Sequence, residues 1–539
     1  MPYSGRENIL MSSETFVAPA ARNATEVFAV HGADPEVLAY AMAKYSRSAL
    51  SMRESLTEIS SQRAEQFLNT FYFQYGHRSI ADLAHIAFAV ERLSLLAAVV
   101  LVDEQRWDGQ ERSTRYQNFL KSGWYLPEFG AERAAADLYV QTISHLFATY
   151  QRTTSAVLAA LERRIPRPEA LAADAYARTL KARAFDVVRY LLPLATNTSL
   201  GQIVNARTLE TQVSRLLSHP LAEIRDLGVK LRSAATGPAW DVYGQAGQSL
   251  AAKISAAAPE LAGDAAKLLT REVRTAPTLV KYAQPNEYEP RTRAELTQAA
   301  SEILKDLPIA AAPVVDLVER TESLEAELAA TLLYSVSHHP YRQIRDLVAA
   351  LPEARIAEIV DLGLRHRGKH DEALRAFHAG AALRFDILMD IGGFRDMHRH
   401  RRCTQIIQPF TTLHGYETPT CGDLAEGVNI LEEAGVLTEF QEALDAAHAA
   451  SLQIAAGAAP EAEHSALYLL PLATRVRSLF KMDYAEAQYI SELRSGPAGH
   501  FSYRRVAWEM FLALQKQHPS LAKHIRVTDF TQPIDLLQR

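Results

Sequence analysis

The chain has 539 residues, 48% of them apolar, enough to bury more core than one ordinary domain, so two or three domains are expected. Its 57 basic and 63 acidic residues leave a formal net charge of −6, which argues against a dedicated binder of nucleic acid or anionic membranes. Two cysteines, Cys403 and Cys421, cannot build a disulfide framework, so a reducing, cytoplasmic setting is the expectation.

The opening stretch MPYSGRENILMSSETF has no basic region leading into an apolar run, so no secretory signal is expected, and FVAPA after it reads as a short strand. Gly76-His77-Arg78-Ser79 then precedes the most apolar stretch, Ile80 to Val102. Asp82, His85, Glu91 and Arg92 inside that stretch favour one long buried helix over a membrane span. It runs directly into DEQRWDGQERSTRYQNF, Asp103 to Phe119. Apolar residues recur three and four apart over Glu132 to Arg163, Arg207 to Arg232 and Arg504 to Gln515, each read as helix. Strand signals are few: LVKY at Leu279 to Tyr282 and the segment Gln405 to Phe410. The expected class is therefore α+β and mostly helical.

The heptapeptide YLLPLAT occurs at Tyr190 and again at Tyr468, 278 residues apart, the spacing of a tandem duplication. Three prolines in Pro277 to Pro290 forbid a continuous helix near the midpoint and place a domain boundary there, giving domains 1–276 and 277–539. In the second half FDILMDIGGFRDM reads as the equivalent apolar helix and runs into His398-Arg399-His400-Arg401-Arg402-Cys403-Thr404.

Alone, these motifs have plain readings. The basic run could be a solvated patch or a nucleic-acid contact. Glu111 and Ser113 could start a helix, and His77 could be a satisfied core histidine. Cys403 reads as a small buried residue. Neither His398 with His400 nor His366 with His370 has a convincing set of further ligands, so no metal is expected. No GxGxxG follows a strand and no GxxxxGK[ST] occurs, which excludes a Rossmann nicotinamide domain and a P-loop.

Together, the motifs resemble the flavin-dependent thymidylate synthases, whose signature is RHRxxSxNExSxRY with a GHxS-like element upstream. The resemblance covers nearly the whole chain as two copies, each a small sheet with a long-helix bundle. Glu111, Ser113, Arg115 and Tyr116 match the ExSxRY end, but Asp103-Glu104-Gln105 replaces RHR. Arg399, His400 and Arg401 match RHR, Thr404 stands for Ser, and Ile407, Pro409, Thr411 and Thr412 replace the other end. Arg189 precedes the first YLLP and Asn205-Ala206-Arg207 follows it, whereas the second copy has Leu467 and Asp483-Tyr484-Ala485 but keeps a late Arg494. Its first-half counterpart falls at Arg215 or Leu216.

The resemblance implies conversion of deoxyuridylate (dUMP) to thymidylate (dTMP) with FAD, methylenetetrahydrofolate as carbon donor and NADPH as reductant. It implies one composite site per chain, built from both halves. Arg494 would be catalytic; His77, Ser79, Glu111, Asn205, Arg207, Arg399, His400 and Arg401 would contact flavin. Asp396, Arg399, Glu111, Ser113, Arg115, Arg189 and Arg494 would bind the nucleotide. Asp396 stands where the family tends to have Gln, and Tyr489 and Thr211 where it has a polar flavin contact. Asp103 and Glu104 would make the reciprocal site repel an anion. A homodimer acting as a pseudo-tetramer is expected, with small-molecule partners and neither nucleic acid nor membrane. Another pyrimidine nucleotide as substrate, or a non-catalytic flavin- or nucleotide-binding role, are the alternatives.

Overall fold

The computed structural model describes residues 28, 30, 32–44, 52–53, 56, 78–104, 106–280, 283–286, 313–317, 323–335, 347–365, 367, 373, 377, 383–419, 429–457 and 461–537. His77, FVAPA, Cys421, His366 and His370 lie outside the described residues, as does the side chain of Ser79.

Each half is built on an antiparallel sheet. The first contains β1 (His85–Ser94), β2 (Asp108–Glu111) and β3 (Asn197–Asn205) in the order β1-β3-β2. The second contains β4 (Val315–Leu317), β5 (Leu383–Asp390), β6 (Thr404–Ile407) and β7 (Arg475–Met482) in the order β4-β5-β7-β6. Long helices pack around both sheets, as expected for two α+β repeats. Among the described residues no helix is long and apolar enough to cross a membrane.

Two expected helices are in fact strand followed by a short helix. Residues 80–102 divide into a 3-10 segment Arg78–Leu83, β1 and the helix Leu95–Leu101. FDILMDIGGFRDM divides likewise into β5 and the helix Ile391–Met397. The apolar helix that follows each strand without a break conceals the strand's two-residue period, which burial makes plain: alternate β5 residues Leu383, Phe385, Ile387 and Met389 are buried, and Arg384, Asp386 and Leu388 between them are less so. Ser94 and Asp390, whose side chains accept the backbone N–H of Ala97 and Gly393, start the short helices. The expected helix Arg207 to Arg232 breaks at Pro220 into Ala206–Leu217 and Ala222–Thr236. Leu279 and Val280 lie in a turn rather than a strand, while β6 confirms the expectation around Gln405. The helices Arg133–Arg164 and Phe501–Gln517 contain the other two expected spans.

The duplication is visible in the register. Glu111 pairs with Leu200 and Ile407 with Ser478, and Ser94 pairs with Asn197 as Asp390 does with Arg475. Positions 200 and 478, like 197 and 475, differ by the same 278 residues as the two heptapeptides. Glu111 is therefore the structural equivalent of Ile407.

The two copies of YLLPLAT pair with each other. Leu194 and Leu472 donate their backbone N–H groups to Leu470 and Leu192, both at 2.9 Å, around an antiparallel bridge between Pro193 and Pro471. Ala195 and Ala473 repeat the exchange with Tyr468 and Tyr190 at 2.8 and 3.2 Å. The pseudo-twofold axis passes between Pro193 and Pro471, so Leu194 meets Leu470 as Leu472 meets Leu192, and each contact is made twice. Identical sequence on both sides satisfies the symmetric, fully buried packing.

A second contact joins the halves. Tyr139, Ile143, Leu146, Tyr150, Thr153, Val157 and Ala160 form a buried seam with alternating steps of four and three on the helix Arg133–Arg164. That helix packs against Leu437–Ala455, and Arg152 to Glu439 and Arg164 to Glu433 are paired at its edge.

Candidate functional site

Arg189 ends the helix Ala173–Val188, where the helix carbonyls favour a cation, and it is 1% exposed. Its Nη1 lies 3.2 Å from Asp396 Oδ2 of the other half and 3.4 Å from Thr114 Oγ1. Its Nε and Nη2 are buried with no hydrogen-bond partner among the described residues. Such orphaned donors on a fixed guanidinium are unusual, and they suit a site that receives an anion.

Arg115 forms a buried fork on Asp186, with Nε to Oδ1 at 2.7 Å and Nη2 to Oδ2 at 3.1 Å. The same guanidinium donates to Tyr503 Oη at 2.7 Å and to the Ala498 carbonyl at 3.2 Å, both in the second half. Ser113 Oγ accepts the backbone N–H of Arg115 and so shapes the turn that aims it.

Arg494, near the end of the helix Tyr484–Ser495, donates Nε to His400 Nε2 at 2.7 Å and Nη2 to the Asp396 carbonyl at 2.8 Å. For His400 Nε2 to accept, its proton must be on Nδ1, which faces Glu486 at 3.4 Å. Burial, then the positive charge of Arg494, pushes the His400 pKa down and keeps the ring neutral. The Tyr503 ring lies 5.3 Å from the Arg494 guanidinium carbon and 5.6 Å from that of Arg115, and so spaces the two apart.

Asp396 is the focus of this cluster. Burial would raise its pKa, but Arg189, Arg115, Arg494 and Arg399 together hold it below the usual carboxylate range. Four guanidinium groups face the carboxylates of Asp396 and Asp186, with the buried Asp390 carboxylate also beside Arg189, so the cluster keeps a net positive charge suited to an anion. Arg399 itself is exposed.

The remaining candidates have other duties. Both Glu111 oxygens accept from Arg395 Nη2 at 3.0 Å in a buried pair across the halves. Arg401 donates to the carbonyls of Glu104 and Val102 at 2.9 and 2.8 Å and lies 4.3 Å over the Trp107 ring. Asn205 caps the helix Ala206–Leu217 through Thr208, and Arg207 pairs with Asp82 at 2.9 Å. A cavity of about 420 Å³ lies between that helix, at Thr208, Thr211 and Arg215, and the turn carrying His398, Arg401 and Cys403. The same helix carries Asn205 and Arg207 beside the 3-10 segment that contains Ser79.

The reciprocal location is closed for a reason other than the expected charge reversal. The helices Ala206–Leu217 and Tyr484–Ser495 have equal length and equivalent caps, Asn205 and Asp483, so Leu216 rather than Arg215 corresponds to Arg494. By the same sheet and helix registers, Val99, Val100 and Ile407 correspond to Arg395, Asp396 and Glu111. Ile224 corresponds to Tyr503, since Glu223 and Ser502 hold the equivalent helix caps Ser94 and Asp390. Leu467 completes the set opposite Arg189. Aliphatic side chains thus stand opposite Arg189, Arg395, Asp396, Glu111, Arg494 and Tyr503, while Thr411 stands opposite Arg115 and Asp103 opposite Arg399. Asp103 and Glu104 are not bare charges there: Glu104 pairs with Arg215 at 2.8 Å and Asp103 lies 3.6 Å from His398.

Cys403 is buried, and burial pushes its thiol up to about 12. Its thiolate fraction at pH 8 is therefore about four orders of magnitude below unity. In the folded protein the Cys403 peptide should stay unmodified by iodoacetamide at pH 8, as read by mass mapping, and should be alkylated after denaturation; equal labelling in both states would contradict this burial.

The family model described as thymidylate synthase complementing protein matches twice, over residues 28–236 and 316–520, more than half the chain. The chain belongs to this family, as a tandem duplication. A UPF0159 protein of Chlamydia pneumoniae is 28% identical over 95% of the chain and 93% of its own length. A UPF0159 protein of Thermoplasma acidophilum is 24% identical over 90% and 94%. Family membership supports a thymidylate-synthase-like function in nucleotide biosynthesis, and the duplicated arrangement extends over the length of these relatives.

Asp186, Arg395, His500 and Tyr503 are site residues that sequence reasoning missed. His500 is fully buried and its Nε2 lies 2.8 Å from the Asp186 carbonyl, joining the helix Ala173–Val188 to the second half. The available signal was the contrast between repeats: Tyr503 and Arg395 each replace an aliphatic residue of the other copy.

Proposed function

We propose that the chain is an FAD-dependent thymidylate synthase-like methyltransferase, converting dUMP to dTMP with methylenetetrahydrofolate and NADPH at one composite site. The observation that carries this reading is the convergence on Asp396 of Arg115 and Arg189 from one half with Arg399 and Arg494 from the other. Arg189, whose Nε and Nη2 are free of protein partners among the described residues, would hold the nucleotide phosphate with Ser113, and Arg115, with its fork on Asp186, would add charge. Arg494, fixed by His400 and the Asp396 carbonyl, would polarise the pyrimidine.

The donor set fits a flavin nucleotide in part. Arg399 is exposed, and Arg401, Thr208 and Thr211 border the cavity beside the Asn205-Arg207 helix, together with the carboxylates of Asp103 and Glu104. Reduced FAD supplies the hydride, so no nucleophilic side chain is required, in keeping with the inert Cys403 thiol. Glu111 and His400 are better assigned as positioning residues, because Arg395 and Arg494 occupy them.

The second reading, another pyrimidine nucleotide as substrate, is favoured by Asp396, whose carboxylate competes with a phosphate for Arg189. A non-catalytic binding role is the third. Complementation of a thymidine auxotroph tests the first: growth with the wild-type chain is expected, and failure despite soluble expression would sink it. Deoxyuridylate-dependent oxidation of reduced flavin separates it from the second reading. Flavin titration should approach one FAD per chain, since the reciprocal location is aliphatic. Two per chain would contradict that assignment, and a colourless protein unable to take up flavin would remove the flavin-binding readings.

A further inference from the structure

A cavity of about 400 Å³ lies in the second half, bordered by Arg365, Arg367, Lys523, His524, Arg526 and Asp361. It is formed where the helix Glu353–Leu364 ends and the chain turns after Pro519–Ala522, and it shares no lining residue with the guanidinium cluster around Asp396. Four permanently cationic side chains meet there. Asp361 is engaged by Lys523 Nζ at 2.5 Å and by His524 Nε2 at 2.7 Å. Glu492 takes the Arg367 fork at 3.2 Å on each oxygen, and accepts the Arg526 backbone N–H at 3.0 Å.

After these two carboxylates a surplus of two positive charges remains, before any protonation of His524. A helix C-terminus attracts cations by itself, but its half unit of negative charge accounts for only part of that surplus. Two observations point to a ligand. Arg367 Nε is buried with no partner among the described residues. Arg365 and Arg526 both border the cavity and are exposed, so their guanidinium groups are accessible to a solute. Among the described residues Leu364 is the one apolar lining residue, and the only ring at the cavity is that of His524, held by Asp361.

We propose that this cavity is a second anion site, for a small polyanion of the diphosphate class. Guanidinium forks and an ammonium group match the multiple oxygens of a diphosphate. The proposal does not depend on the reaction assigned to the composite site.

Isothermal titration of the full chain with pyrophosphate and with inorganic phosphate, at constant ionic strength, tests it. The wild-type isotherm should contain a pyrophosphate component that survives in Arg189→Ala and is weakened about 10- to 100-fold in Arg365→Ala/Arg526→Ala. Arg365→Lys/Arg526→Lys, which keeps the charge but not the forks, should fall between. Unchanged binding in the alanine pair, or a wild-type component abolished by Arg189→Ala alone, would overturn the site. Equal affinity for phosphate and pyrophosphate would overturn the diphosphate assignment.

Discussion

Replacing Arg115 by Ala should destabilise the protein by about 3–5 kcal/mol, the largest stability effect expected of any single residue at this site. The Arg115 and Asp186 side chains are 8% and 3% exposed, so truncation removes the fork that compensates a carboxylate taken out of water. An exposed pair of the same geometry would be worth about 1 kcal/mol or less. The loss also reaches across the halves, because Arg115 binds Tyr503 and the Ala498 carbonyl. Arg115→Lys keeps the charge but cannot make the fork and the two cross-half contacts together, and should recover only part of the loss. Equilibrium unfolding in urea measures both variants. A loss below about 1 kcal/mol for Arg115→Ala would mean that solvent already screens the pair.

The structure also explains which features the sequence could disclose. YLLPLAT is visible because the two copies pack on each other, and the symmetry keeps both the same. Arg189 against Leu467 is visible for the opposite reason: the position lies at the edge of that symmetric contact, where one copy faces Asp396 and the other an aliphatic surface. The strands β1 and β5 were hidden because each runs straight into a short apolar helix and the whole reads as one helix, and their partners β3 and β7 lie 85 or more residues away in sequence. Hydrophobic period carries no information about a partner at that distance. Tyr503 and Asp186 were hidden because their role exists only once Arg115 is placed between them. Asp103 and Glu104 suggested the closed reciprocal site through charge, whereas the closure comes from Val99, Val100, Leu216, Ile224, Ile407 and Leu467, whose joint location no single motif displays.

The three residues around the anion position should separate by kinetics. Arg494→Ala should lower kcat by about 10²–10³-fold, the cost of removing one oriented donor from a developing negative charge, while nucleotide affinity changes far less. Arg189→Ala should instead weaken nucleotide binding by about 10- to 100-fold, the worth of a buried charge-assisted contact. Asp396→Asn should act in the opposite direction, because it removes the carboxylate that competes with phosphate for Arg189 at 3.2 Å. The pH response of Asp396 has a definite sign. Its pKa is depressed, so its pairing with the arginines contributes stability above the ordinary carboxylate range and loses it as pH falls through the lowered value. Over that acidic window the wild-type affinity for sulfate, which stays dianionic there, should rise toward that of Asp396→Asn, and at neutral pH the two should differ most. Equal affinity of wild type and Asp396→Asn at neutral pH would show that the carboxylate does not compete for the anion. A fall in kcat for Arg189→Ala as large as for Arg494→Ala, with nucleotide affinity unchanged, would contradict the division of labour between the phosphate arginine and the pyrimidine arginine.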